Sequence, residues 1–357
     1  MVFDHRRSKV RHFALAGVFL ASIIVGYGAT HLLVAPDARF GRDEQPGVTR
    51  ITKPVRPPLD KAAYDAKMLS LAHLSPTTTL STTTPRAWPP HVAYPLGNAI
   101  LPFKRIVAFY GNFLSRQMGV LGEYDRPIML EKLRAEIAAW EAADPSTPVI
   151  PAVDYIAITA QASAGRDGMY RLRMPDEEIE TALDIAREVQ GIVFLEMQVG
   201  KSTFPKELPL LEKYLKLPEV HLAMDPEFAM KKSAPGTVIG YVTAADVNAV
   251  AEYLAKLVRT HDLPPKVLLV HRFTKDMVRD ARAIRPLPEV QVVIVMDGWG
   301  TPENKTLTYE KVIYEEPVQF AGFKLFYKND LFAPSPRMMT PAEILKLTPQ
   351  PVFIQYQ

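Results

Sequence analysis

The chain has 357 residues, 48% of them hydrophobic and 23% charged, which is room for one large folded domain with appendages. Its net charge is only +3 and its basic residues are spread out, so no basic face argues for nucleic acid. The absence of cysteine excludes disulfides, thiolate metal sites, a cysteine nucleophile and a lipidated cysteine.

The N-terminus opens with a basic run, "DHRRSKVRH", over 1–12. The segment "FALAGVFLASIIVGYGATHLLVA" follows at 13–35 with no Asp, Glu, Lys or Arg. A bilayer core needs about 20 apolar helical residues. The preceding Arg and Lys favour an N-terminus held in the cytoplasm, and the rest of the chain would then lie outside the membrane. The segment is therefore expected to be an uncleaved anchor. A signal peptide cleaved near "GYGAT" is the rival reading, with secretion as its consequence. Residues 36–104 are rich in Pro, Thr and Ser, as in "LSPTTTLSTTTPRAWPPHVAYPLG", and read as an extended tether whose last part packs on the domain.

From residue 105 short apolar runs alternate with helical patterns. The runs lie at 105–111, 149–157, 191–200, 219–228, 266–273, 290–300, 320–327 and 351–357. Between them, Leu130, Leu133, Ile137 and Trp140 have the spacing of one helical face. Thr243 and Asp246 open a helix with a capping box, and Thr340, Pro341 and Glu343 open another. Near-continuous apolar strands alternating with helices imply parallel strands covered on both sides. Eight units over 105–357 predict an α/β fold of the (β/α)8 TIM-barrel class. A doubly wound sheet is the runner-up, but "FYGNFLSRQMGVLGEY" after the first run has no GxGxxG. No helix follows the eighth run, and 85–104 is expected to cover that gap or close the barrel bottom.

In such barrels the site forms at the C-terminal ends of the strands. Those ends carry Tyr110, Asp154, Tyr155, Glu196, Gln198, Asp225, Glu227, His271, Arg272, Asp297, Trp299, Lys324, Tyr327, Gln355 and Tyr356. Asp225 and Glu227 are two apart, so on a strand both face the same side. The structural alternative is a rim of salt bridges, with Glu196 or Asp225 on Arg272 or Lys324. His221, at a strand start, reads as structural, and Glu177, Glu178 and Glu180 read as solvated helix surface.

Two chemistries use several carboxylates at one mouth. Glycoside hydrolysis needs one carboxylic acid and a second carboxylate. Glu227 is the candidate general acid/base, with Asp225 orienting it or stabilising positive charge. Glu196, Asp297, Asp154, His271, Arg272, Lys324, Gln198 and Gln355 are supporting groups. Tyr110, Tyr155, Trp299, Tyr327 and Tyr356 are candidates for stacking on sugar. An Asp-x-Glu at the end of the fourth strand resembles the chitinase-like glycoside hydrolases, whose pattern is Asp-x-x-Asp-x-Asp-x-Glu. Only Asp225 and Glu227 match it; Ala223 and Val220 stand at the earlier positions. The resemblance implies the fold and a carbohydrate ligand, not a particular sugar. Metal-assisted hydrolysis of phosphodiesters is the alternative, with Glu196, Asp225, Glu227, Asp297 and His271 as oxygen and nitrogen donors. No HExxH or His-x-His is present, and neither a metal nor a cofactor is expected. The third reading is a barrel that binds glycan or protein without turnover.

Overall fold

The computed structural model describes residues 56–75, 87–332 and 337–357. The predicted anchor at 13–35 lies outside them, as does much of the Pro/Thr-rich stretch. Among the described residues no helix is long and apolar enough to cross a membrane.

Eight parallel strands close on themselves. They are β1 (Arg105–Gly111), β2 (Val149–Ala160), β3 (Ile192–Met197), β4 (Val220–Met224), β5 (Lys266–Arg272), β6 (Val290–Met296), β7 (Phe320–Leu325) and β8 (Phe353–Tyr356). Each pairs with the next. The register of β1 on β8, from Ile106–Phe353 to Phe109–Tyr356, shuts the ring. This is the TIM-barrel fold read from the sequence.

Alternation along each strand makes two cores. Inward residues such as Ile106, Ala108, Phe194, Ala223, Leu269 and Phe353 fill the lower barrel, while outward ones such as Val107, Val153, Leu195, Leu222 and Val270 pack under the helices. The lumen is narrow enough to need Gly322: a Cβ there would lie 2.9 Å from Val295 and 3.1 Å from the Phe353 ring. Four helices flank the ring: α2 (Arg126–Ala143), α3 (Asp176–Glu188), α4 (Ala244–His261) and α5 (Pro302–Tyr309), α1 being the Lys61–Leu71 helix below. The capping boxes of Thr243 with Asp246 and of Thr340 with Glu343 are both formed. The crossovers after β3 and β5 carry only short helical turns.

The last part of 36–104 packs on the barrel, but residues 61–71, expected as extended tether, form a helix. α1 buries Tyr64, Met68 and Leu71 against the barrel floor, together with fully buried Leu101. Gln291 of β6 fixes that plug, accepting from Leu101 N at 3.1 Å and donating to Leu101 O at 2.6 Å. The sequence reading missed α1 because 11 residues with a weak apolar face depend on the floor they cover. Leu101→Ala is expected to cost about 2–5 kcal/mol, measured by denaturant unfolding.

The base also holds a buried cation. Lys266 Nζ donates to Leu217 O at 2.6 Å and Val220 O at 2.8 Å. Burial pulls its pKa down to about 7, against the opposing pull of Glu219. The folded chain thus gives up this proton near pH 7, and the unfolded chain near 10.5. Between those values the unfolded state binds more protons, so the group's contribution to stability rises with pH. In Lys266→Met that extra rise across the window should vanish, as read from unfolding free energies at several pH values.

Candidate active site

The polar residues stack by strand parity. The odd strands contribute Tyr110, Glu196, His271 and Lys324, as alternate-strand layering in a barrel requires. The Tyr110 hydroxyl donates to Glu196 Oε1 at 2.8 Å, and Lys324 Nζ lies 4.0 Å from the Tyr110 ring centre. Ala223 is the register partner of Glu196 and Val295 that of His271, so Asp225 and Asp297 lie two residues further toward the mouth. Asp154 pairs with Phe194, two residues deeper than Glu196, and accepts from Gln355 Nε2 at 2.5 Å. Gln198 Nε2 donates to Tyr110 Oη and Glu196 Oε1, both at 3.1 Å, and to Asp225 Oδ2 at 3.4 Å.

Burial forces these groups to settle their charges. Asp297 Oδ1 is 3.1 Å from Lys324 Nζ, and its Oδ2 is 3.2 Å from His271 Nδ1. His271 Nε2 is 3.0 Å from Glu196 Oε2. Both imidazole contacts are in ion-pair range, yet neither nitrogen has a directed hydrogen bond. Burial opposes the charged forms of Asp297, Lys324 and His271, but their mutual attraction outweighs it: Asp297 falls below the usual carboxylate range, and Lys324 and His271 rise. Burial, then Glu196, pushes Asp154 and Asp225 well above that range.

Glu227 is different. β4 ends at Met224, and residues 226–228 form a helical turn capped by Asp225, whose Oδ1 accepts from Glu227 N at 3.0 Å. The expectation that strand alternation aims both acids the same way therefore fails: Glu227 is not on the strand. Its placement comes from the turn and from Gly240, whose N–H donates to Glu227 O at 2.6 Å. A Cβ on Gly240 would sit 2.6 Å from that same oxygen. Glu227 is half-buried, above the more deeply buried Asp225 and Asp297. Burial, then Asp297, raises its pKa to about 7.

Five expected site residues lie outside the lumen: Arg272, Tyr155, Tyr327, Tyr356 and Trp299. Arg272 follows inward-facing His271 and so points outward. It donates to the carbonyls of Thr274, Lys275, Val278 and Val312 and pairs with Glu316 at 2.5 Å. It therefore bridges neither Glu196 nor Asp225. An open groove beside it, lined also by Lys275, Arg279 and Arg282, lies away from the acids. Tyr155 stacks on Phe113 at 4.9 Å under the outer layer. Tyr356 accepts from Trp140 of α2 at 3.0 Å and stacks on Tyr327, which donates to Glu136 at 2.7 Å. Of these four aromatic candidates only Trp299 is open to solvent, 47% exposed and edge-on to the still more exposed Phe332.

The arrangement defines a (β/α)8 barrel whose C-terminal mouth is acidic and ion-paired beneath one half-exposed carboxyl. No protein-family model and no curated protein matches the sequence. Among solved structures, a ruminal GH26 endo-beta-1,4-mannanase matches at 12% identity over 71% of this chain, with a TM-score of 0.31. This chain spans 59% of that mannanase chain. The barrel assignment rests on the strand pairing itself.

One part of the mouth had no sequence signal. Lys305 of α5 and Asp330 are both buried and paired at 2.9 Å. Lys305 Nζ also donates to Gly298 O and Lys324 O, and Asp330 accepts from Gly300 N and Phe326 N. The pair ties the loops after β6 and β7 together, 25 residues apart in sequence. Lys305→Met leaves Asp330 buried without its cation and should cost about 3–5 kcal/mol, measured by chemical denaturation.

Proposed function

We propose that this barrel is a glycoside-hydrolase-like domain acting on cell-envelope or extracellular glycan by carboxylate acid/base catalysis. The observation that carries the reading is Glu227: a half-buried carboxyl at the rim, held by a capped turn, with its pKa raised to about 7. A carboxylic acid still protonated near neutrality can donate its proton to a departing glycosidic oxygen. Asp297, kept ionised by Lys324 at 3.1 Å, is the second carboxylate of the pair that such chemistry uses. Asp225 acts by positioning Glu227, since its carboxyl caps the turn. Trp299 offers an exposed face for stacking on sugar. The basic run at 1–12 and the apolar stretch at 13–35 support a single-pass anchor with the barrel outside the membrane.

The test is turnover of a panel of oligosaccharides and envelope glycans by the full chain and by Glu227→Gln. The variant should lose about 10²–10⁴-fold in kcat and keep its affinity. Because the acid must be protonated, wild-type kcat/KM should fall as pH rises through about 7. Sugar binding with no turnover, unchanged in Glu227→Gln, would instead identify a binding barrel.

A further inference from the structure

Beneath the rim, three buried side chains converge in a way the acid/base reading does not use. Asp154, Glu196 and His271 each offer one ligand atom, and these atoms all lie within 4.8 Å of one another. All three residues are fully buried. In each, the other polar atom already has a neighbour. Gln355 donates to Asp154 Oδ2, Tyr110 and Gln198 donate to Glu196 Oε1, and Asp297 faces His271 Nδ1.

The remaining atoms lack a directed hydrogen bond. Asp154 Oδ1, Glu196 Oε2 and His271 Nε2 make no hydrogen bond, although all are buried. His271 Nε2 and Glu196 Oε2 are 3.0 Å apart without the direction of an N–H donor. That is the spacing of two atoms bound to one ion at about 2.0–2.2 Å each. A carboxylate behind the far nitrogen of an imidazole, and amide or hydroxyl donors behind carboxylate ligands, are the outer contacts that orient metal ligands. Two acid groups and an imidazole packed together without water must otherwise carry protons, which a bound cation would replace, and the nearby Lys324 is already paired with Asp297.

We propose that Asp154, Glu196 and His271 hold one first-row divalent cation of the Mn²⁺ or Zn²⁺ type. Two carboxylates with one imidazole suit such an ion better than Ca²⁺, which takes an all-oxygen shell. The three ligands come from β2, β3 and β5, so no contiguous motif announces them. The site stands whatever substrate the mouth takes.

The experiment is metal analysis of the purified full chain, followed by chelator stripping and calorimetric titration with Mn²⁺ and with Zn²⁺. About one ion per chain should bind, with a rise in Tm on loading. Asp154→Asn and His271→Gln should each abolish stoichiometric binding, and Gln355→Met should weaken it by about 10–100-fold. Gln355→Met guards against ligand variants that fail to fold, since it leaves all three ligands in place. Glu227→Gln should bind the ion as wild type does, so this result and the glycoside assay fail independently. Folded wild-type chain that takes up neither ion, or uptake that survives Asp154→Asn and His271→Gln, overturns the site.

Discussion

The constraint behind this molecule is the burial of an ionised layer inside a closed barrel. Tyr110, Glu196, His271 and Lys324 come from alternate strands and fill one level, with Asp225 and Asp297 toward the mouth and Asp154 with Gln355 beside and below. None can be solvated by bulk water, so each must find a partner or give up its charge. Lys324 and His271 settle on Asp297 and Glu196. Asp154 and Asp225 are pushed toward the neutral form. The charge pattern of the mouth follows from strand parity and burial before any ligand enters.

That layer would be of little use without a rim that holds still. Three local devices supply it. The Asp225 cap fixes the turn carrying Glu227, and Gly240 lets the returning chain come close over it. The Lys305–Asp330 pair locks the loops after β6 and β7, which carry Gly298, Trp299 and Phe326. Below, the plug of α1 and Leu101 seals the floor. The half-buried Glu227 carboxyl sits at the opposite, C-terminal end of the barrel.

Much of the fold was legible because its signals are local. The eight apolar runs became eight strands, with β1 matching its predicted bounds and most others ending one to four residues early. Both predicted capping boxes formed, since each depends on only four residues. The acids of the mouth were legible as a set, because strand ends are where this fold gathers polar groups. Misplacements came from parity. Arg272 follows His271, so both cannot face the lumen, and the same holds for Tyr155 beside Asp154 and Tyr356 beside Gln355. Glu227 erred the other way: period two was applied to a stretch where the strand had already ended.

The sequence alone determined that strands and helices alternate, that the strands are buried on both faces, and that carboxylates cluster at their ends. These follow from side-chain chemistry and short-range periodicity. Only the tertiary structure decided which acids share a layer, which cation neutralises which anion, and which carboxyl is left half-open. Those depend on ring closure and register, which bring β1 to β8 and Asp154 to Gln355 across 201 residues of chain. Electrostatic energy depends on distance through a medium of low polarity, and such distances are set by packing rather than by order along the chain.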